Sequence, residues 1–302
     1  MGDIKLFRMT GGKAHDLLGS AASLEKTLQS FIERNMEVLL GIRFLATEHS
    51  TGKTHGGRID SLGLDENGCP VILEYKRSVN ENVISQGLFY LDWLLDHRGE
   101  FELLVQRKLG KETSEGIEWS RPRLICIAGD FTKYDEHAVQ QMGRNIELIR
   151  YRQFGDDLLL LELVNAVVGE EAPRAKAAAN SSKRYTTAGE LLEKADKGLQ
   201  ELYQDLKAHL LALGDDVQFG ELKFYFAFKR IKNFACVEVH PQSSKLLVYL
   251  KIGPDRTQLE KGFSRDVRKV GHFGTGDLEL TIRSRGDLEK AKPLLMKSYE
   301  QS

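Results

Sequence analysis

The alternation of apolar and polar positions over residues 57–77 is interrupted once, by the polar turn Asp65-Glu66-Asn67-Gly68. Apolar runs on both sides of an Asn-Gly pair predict two strands joined as a hairpin. If Asp65 opens a type I turn and Gly68 takes the left-handed position, Asp65 lies opposite Cys69. This pairing sets the register of every residue further along the two strands.

Counting back from the turn places Asp60 directly across from Glu74. Side chains alternate along a strand, so Lys76 lies on the same face as Glu74. Two carboxylates and an ammonium group then meet at one end of the hairpin. Like charges at cross-strand distance are destabilising, and a divalent cation is the usual compensation. A surface hairpin in which Lys76 forms a salt bridge with either acid fits the same pattern.

The remaining periodicities in the first half predict helices on both sides of a sheet. The predicted elements are a helix over 24–40, a strand over 42–50, the two hairpin strands, helices over 83–97 and 99–109, a buried strand over 123–128, a helix over 133–144, and strands over 146–153 and 157–164. This order is typical of an α/β domain with a mixed (α+β) sheet flanked by helices.

A stretch with almost no bulky apolar residue, 169–184, predicts a linker between a domain over 1–168 and a second domain over 185–302. The elements predicted for the second domain are a helix over 187–213, strands over 217–228, 233–240 and 244–252, a basic helix-like stretch over 256–269, a strand over 277–284 and a helix over 287–299. This is a smaller α+β domain.

The net charge excludes a polycation that binds nucleic acid through bulk charge. The chain has 43 Lys and Arg against 44 Asp and Glu, with a net charge of +4 over 183–302 and −5 over 1–182. Any nucleic-acid binding must therefore come from local patches.

The cysteine pattern and the N-terminus predict a cytoplasmic protein. Cys69, Cys126 and Cys236 are far apart in apolar segments, which is typical of buried thiols in a reducing compartment. The N-terminus has no signal-peptide core, and the apolar run over 158–168 is too short to span a membrane. We expect no membrane association.

A helix over 83–95 would place Gln86 and Tyr90 one turn apart on the same face. With Asp60 and Glu74-Tyr75-Lys76, this arrangement resembles the PD-(D/E)XK nuclease superfamily. It is most similar to the branch whose helix carries a Gln-x-x-x-Tyr motif, as in RecB-type nucleases. The resemblance covers most of the first domain and rests on several short motifs in the right order.

The resemblance extends upstream to the segment Leu24–Asn35, which is similar to the first helix of NucS-like nuclease domains. The glutamate that faces the site in that family would here be Glu25. The chain departs from the family name at Ile59, where proline is expected before Asp60. That position tolerates apolar residues.

The resemblance implies a restriction-endonuclease-like fold and a metal-dependent nuclease that hydrolyses DNA. It implies that Mg²⁺ or Mn²⁺ is held by Asp60, Glu74 and the backbone carbonyl of Tyr75, and that Lys76 positions the attacking water. The full set of implied catalytic residues is Glu25, Asp60, Glu74, Lys76, Gln86 and Tyr90. The implied partners are DNA and, as one option, a second copy of the chain.

Two other functions are compatible with the same residues. A nuclease fold can serve as a non-catalytic DNA-binding or protein-assembly module, because fold does not dictate function. An unrelated interaction protein with a coincidental motif would place Asp60 and Glu74 far apart.

The second domain has two segments that could contact nucleic acid. Arg265, Arg268 and Lys269 form a basic cluster beside the glycine-rich segment 271–276, which could hold phosphate or be an ordinary turn. Aromatic and basic residues alternate over 223–234, as in a stacking surface or a core strand. The domain resembles a bacterial domain of unknown function that is often joined to nuclease-like modules, and its alternative role is to hold a protein partner.

Overall fold

The computed structural model describes residues 4–20, 25–76, 83–155, 157–167 and 186–302, without the side chains of Glu25 and Thr54. The chain divides into two compact units. One consists of the residues before the stretch 168–185 except the turn Glu66–Gly68, and the other of the residues after that stretch together with this turn. The predicted linker over 169–184 lies outside the described residues.

The first unit contains both helices and strands. Its elements are β1 (Leu6–Thr10), β2 (Lys13–Leu17), β3 (Gly19–Ser20), α1 (Glu25–Leu40), β4 (Ile42–Ser50), α2 (Gly52–His55), β5 (Arg58–Asp65), β6 (Pro70–Lys76), α3 (Val83–Asp96), α4 (Arg98–Leu109), α5 (Lys111–Glu115), β7 (Arg123–Ala128), α6 (Lys133–Gln141), β8 (Asn145–Phe154) and β9 (Leu158–Val167).

The main sheet of this unit is mixed, in the order β3-β8-β7-β6-β5-β4, with β9 also paired to β8. Strands β6, β7 and β8 run parallel to one another, whereas β4, β5 and β6 are antiparallel. Every residue of β7 is buried, as expected for a parallel strand covered on both faces. Helix α3 packs its buried side, including Trp93 and Leu94, on the central strands. The predicted α/β fold with a mixed sheet is confirmed.

The predicted set lacked several short elements of this unit, including one pair of strands and one helix. Strands β1 and β2 form a separate two-stranded sheet whose residues are almost all exposed. Helix α5 is a single turn without buried residues. Neither element presents an apolar face to a core, so periodicity gives no signal for either.

The second unit is an antiparallel sheet with helices on one face. Its elements are α7 (Ala188–Glu193), α8 (Lys197–Leu211), β10 (Gln218–Glu221), β11 (Phe226–Lys229), β12 (Asn233–His240), β13 (Lys245–Leu250), β14 (Ser264–Asp266), β15 (Leu278–Ile282) and α9 (Arg285–Glu300). The strand order is β10-β11-β12-β13-β15-β14. Alternate residues of β12, β13 and β15 pack on the helices.

Three predictions for this unit were wrong in detail. The helix over 187–213 is interrupted because the Asp196 carboxylate accepts the Leu199 N–H at 2.9 Å and starts α8. The strand over 217–228 is two strands, β10 and β11, paired as a hairpin. The stretch 256–269 is not helical, since β14 within it pairs with β15.

Candidate active site

The hairpin register is the one that the turn predicts. Gly68 has φ +77°, in the region that favours glycine, and the Asp65 N–H donates to the Cys69 carbonyl at 3.0 Å. The ladder between β5 and β6 continues to the pair Ser61 and Leu73. The next residues on the two strands are Asp60 and Glu74, so the predicted apposition is present.

Beyond Ser61 the two carboxylates replace the ladder by accepting backbone hydrogen bonds across the strands. The Asp60 N–H donates to Glu74 Oε1 at 3.2 Å. The Tyr75 N–H donates to Asp60 Oδ2 at 2.9 Å. Each acidic side chain is therefore held against the backbone of the opposite strand.

Burial strongly changes the chemistry of Glu74. This side chain is fully buried, and its Oε2 has no hydrogen-bond partner among the described residues. Burial, and next the negative charge of Asp60, raise the pKa of Glu74 from 4.5 to about 9. The metal-free site therefore holds a proton on Glu74 at neutral pH.

Lys76 lies two residues beyond Glu74 at the end of β6 and is partly exposed. Its positive charge acts to lower the pKa of Glu74, so the ammonium lies within electrostatic range of that carboxylate. The three residues expected to meet at the hairpin end are thus near one another. Asp60 and Glu74 lie close together, contrary to the expectation for an unrelated interaction protein with a coincidental motif.

Helix α1 supplies polar residues that the sequence interpretation missed. Gln29 is buried and its Nε2 donates to the Asp60 carbonyl at 2.8 Å and to Glu33 at 3.0 Å. Glu33 in turn accepts the Ser61 hydroxyl at 2.6 Å. Glu25 begins the same helix one turn before Gln29, and its side chain lies outside the described residues. Glu25, Gln29 and Glu33 are spaced four residues apart, which places them on one face of a helix. This spacing is the sequence feature that could have identified Gln29 and Glu33.

A third strand brings another acid toward the pair. Thr47 lies opposite Ser61 and His49 opposite Ile59, so the register places Glu48 level with Asp60. The charge of Glu48 also raises the pKa of Glu74. Glu48 has φ +48°, which is uncommon for a residue with a side chain and costs energy. Nothing in the local sequence predicts this contribution.

Gln86 and Tyr90 are together on α3, as predicted. Gln86 Nε2 donates to the Tyr90 hydroxyl at 3.2 Å, and that hydroxyl also accepts the Arg58 N–H at 3.1 Å. The Tyr90 ring packs so closely on Gly57 that a Cβ there would lie 2.6 Å from it. Tyr90 therefore holds the start of β5, which carries Asp60.

Among the described residues, no group of three or more His, Cys, Asp or Glu side chains is placed to hold a metal ion. The carboxylates of Asp60 and Glu74 offer two oxygen donors, and the Glu25 side chain is not described. The metal set of Asp60, Glu74 and the Tyr75 carbonyl remains a prediction.

Glu74→Gln is expected to remove a pH-dependent loss of stability. Between pH 4.5 and about 9 the folded protein keeps a proton on Glu74 that the unfolded chain has released, so stability falls as pH rises through this window. The free energy of unfolding of the variant minus that of the parent should therefore grow with pH, by at most ~1.4 kcal/mol per pH unit.

Urea denaturation in EDTA from pH 5 to 9 measures this difference. Glu115→Gln, which neutralises an exposed partner of Lys111, is the matched control and should show a flat difference. A flat difference for Glu74→Gln as well would contradict the raised pKa.

Ion pairs neutralise most of the basic cluster in the second unit. Arg265 forms a two-pronged pair with Glu279 at 2.7 and 2.6 Å. Arg268 pairs with Asp255 and Asp266, each at 2.7 Å. The DNA-binding role of Arg265, Arg268 and Lys269 stays a prediction, with less free charge than the sequence suggests.

The glycine-rich segment 271–276 uses backbone N–H groups within its own unit. The Phe273 N–H donates to Glu238 Oε1 at 3.0 Å, and the Thr275 N–H points to Cys236 Sγ at 3.4 Å. These groups are engaged, which argues against a phosphate cradle here.

Residues 188–302 match a domain of unknown function (DUF5655). A crystal structure of a repair endonuclease from Pyrococcus abyssi is 20% identical, with a TM-score of 0.29 over 43% of this chain and 49% of that one. The chain thus spans about half the length of that structure, and at this TM-score the likeness says nothing about function. No helix in the described parts is long and apolar enough to cross a membrane.

A relative matches almost the whole chain. It is an uncharacterized protein of Haemophilus influenzae, 30% identical over 310 residues, and the match covers 98% of this chain and 100% of that one. The match extends through the residues of both units. The chain therefore belongs to the same protein family as this Haemophilus influenzae protein.

Proposed function

We propose that the first unit is a metal-dependent nuclease that hydrolyses phosphodiester bonds in DNA. The observation that carries the proposal is the buried Oε2 of Glu74, which has no hydrogen-bond partner among the described residues and lies beside Asp60 and Lys76. A buried carboxylate oxygen without a partner is costly and needs an explanation. A cation bound in place of the Glu74 proton would give this oxygen a partner.

The donor set suits a hard divalent ion. Asp60, Glu74 and the Tyr75 carbonyl offer oxygen ligands, which Mg²⁺ and Mn²⁺ prefer. Bound there, the ion would supply a more acidic water and stabilise charge on the phosphate. Among the described residues, the protein offers too few oxygen atoms to fill the coordination shell of the ion. Mg²⁺ usually keeps several water ligands, so such a site suits it.

The surrounding residues of the chain would orient the reacting groups. The Lys76 ammonium would hold the attacking water or the developing negative charge on the phosphate. Gln29 supports Asp60 by donating to its carbonyl, and Tyr90 supports the start of β5 through the Arg58 N–H. Gln86, bonded to Tyr90 and partly exposed, would reach a substrate phosphate.

The test is cleavage of DNA by the purified full-length protein. Single-stranded, linear duplex and circular duplex DNA are incubated with Mg²⁺, Mn²⁺ or EDTA, and Asp60→Asn is prepared in parallel. We expect metal-dependent cleavage of at least one form and none by the variant. No cleavage of any form, or equal cleavage by Asp60→Asn, would overturn the proposal.

One observation favours a second candidate, a non-catalytic nuclease-fold module that binds DNA or assembles with a protein. Both carboxylates already accept backbone N–H groups, so each has a structural role without a metal. Calorimetric titration with Mn²⁺ separates the two functions. Uptake of the ion favours the nuclease, whereas salt-sensitive DNA binding without uptake favours the module.

A further inference from the structure

The second unit contains an open cleft that plays no part in the proposed nuclease chemistry. Its volume is about 880 Å³, within the ~300–1,000 Å³ range of small-molecule sites. The lining includes two phenylalanines, Phe224 and Phe273, and the polar residues Glu238, His240 and Lys194. Aromatic walls combined with converging polar groups are typical of small-molecule sites.

One wall of the cleft is a stacked aromatic pair. The rings of Phe224 and Phe273 lie 4.4 Å apart at 26°. Phe273 is nevertheless 51% exposed, so the pair leaves an aromatic face open to the cleft. Such a face stacks well on a nucleobase, at about 1–3 kcal/mol per base.

A buried carboxylate, that of Glu238, belongs to a residue that lines the cleft. Glu238 is 8% exposed, and its Oε1 accepts the Phe273 N–H at 3.0 Å. Its Oε2 lies 2.8 Å from His240 Nε2. These two contacts hold the carboxylate in one orientation, and each oxygen keeps a second lone pair for a ligand. Phe273 supplies both the N–H group that binds Glu238 and a ring of the stacked pair, so a single residue positions the carboxylate and the aromatic wall.

We propose that this cleft binds a planar base with two adjacent N–H donors, of which guanine is the common example. The ring N–H and the exocyclic amine of guanine would donate in parallel to the two oxygens of Glu238. The base would stack on the open face of Phe273, and Lys194, an exposed lining residue, would meet the phosphate. Adenine presents no such pair of donors on that edge.

This proposal does not depend on the nuclease activity. The base could come from a free nucleotide or from an unpaired guanine in a nucleic-acid strand, since the recognised chemistry is the same. The full-length protein is titrated calorimetrically with GMP, IMP and AMP, and with a dT oligonucleotide that does or does not contain one dG. EDTA is included so that cleavage cannot interfere.

Guanine-containing ligands are expected to bind about 5- to 150-fold more tightly than IMP or AMP, because IMP lacks the exocyclic amine. Glu238→Gln should abolish this preference, since the amide presents a donor to the base. Glu289→Gln, which neutralises an exposed carboxylate on α9 that pairs with Lys292, is the matched control and should bind like the parent.

Because Glu238 is buried, its replacement could disturb folding, and circular dichroism of the variant checks this. Phe273→Ala is the second variant, since an exposed ring is dispensable for the core. It should weaken binding of all bases about 5- to 150-fold. Binding of GMP identifies a free nucleotide, and binding of only the dG oligonucleotide identifies a strand. Equal binding of all ligands, no binding of any, or normal binding by both variants would overturn the proposal.

Discussion

Lys76→Ala is expected to lower the rate of DNA cleavage by about 10²–10³-fold, in line with the loss of one charge-stabilising group from an active site. The Lys76 ammonium lowers the pKa of Glu74, and Lys76 is the partly exposed last residue of β6. Its removal takes away the positive charge that would face the phosphate. The measurement is the single-turnover rate on whichever DNA form the parent protein cleaves.

The matched control is Lys111→Ala, which removes an exposed lysine from α5 in the same unit. This variant should cleave at the parental rate. Circular dichroism should show both variants folded, because Lys76 is only partly buried. If Lys76→Ala and Lys111→Ala cleave equally fast, Lys76 has no catalytic role, and the assignment of this hairpin end as the active site is wrong.

Arg123→Ala is expected to destabilise the first unit by about 3–5 kcal/mol, the usual cost of breaking a buried ion pair. Arg123 is buried at the start of β7, with Nε and Nη2 bonded to Glu147 at 2.7 and 2.8 Å. Its Nη1 bonds to Asp65 at 2.8 Å. Removing the guanidinium takes its positive charge away from two buried carboxylates, those of Asp65 and Glu147. Urea denaturation measures the loss.

Arg8→Ala is the control for this experiment, because its pair with Asp157 in the same unit is well exposed on both sides. Exposed pairs contribute roughly 0–1 kcal/mol, so this variant should lose little. Arg123→Met, which replaces the charge with an apolar chain of similar length, also removes the charge that pairs with both acids and should also be destabilised. A similar small loss for Arg8→Ala and Arg123→Ala would show that the buried network contributes little.

The main features of the first unit could be predicted because they depend on local pattern. The Asn67-Gly68 turn sets the hairpin register, and counting along two strands then suffices to pair Asp60 with Glu74. Helix α3 follows from its apolar spacing, and a spacing of four places Gln86 beside Tyr90. These relations are between residues close in sequence, so few alternatives compete.

Other contributions to the site come from residues that are distant in sequence, and local pattern is silent about them. Glu48 reaches the acid pair through the pairing of β4 with β5, and its φ of +48° has no sequence signature. Gln29 meets the Asp60 carbonyl only because α1 packs on this end of the sheet. In the second unit, the Asp196 cap divided a predicted helix because one side-chain hydrogen bond outweighed a continuous helical pattern.

The sequence by itself determined the α/β class, the hairpin and the apposition of Asp60 with Glu74, because periodicity and turn chemistry act over a few residues. Only the tertiary structure decided the charge state of Glu74 and the pairing of the arginines in the basic cluster with acidic residues. The pKa of Glu74 rises because the fold buries it beside Asp60, which composition does not reveal. Arg265 is neutralised because strand pairing brings it to Glu279. Burial and charge pairing are long-range properties, and they appear when the chain is folded.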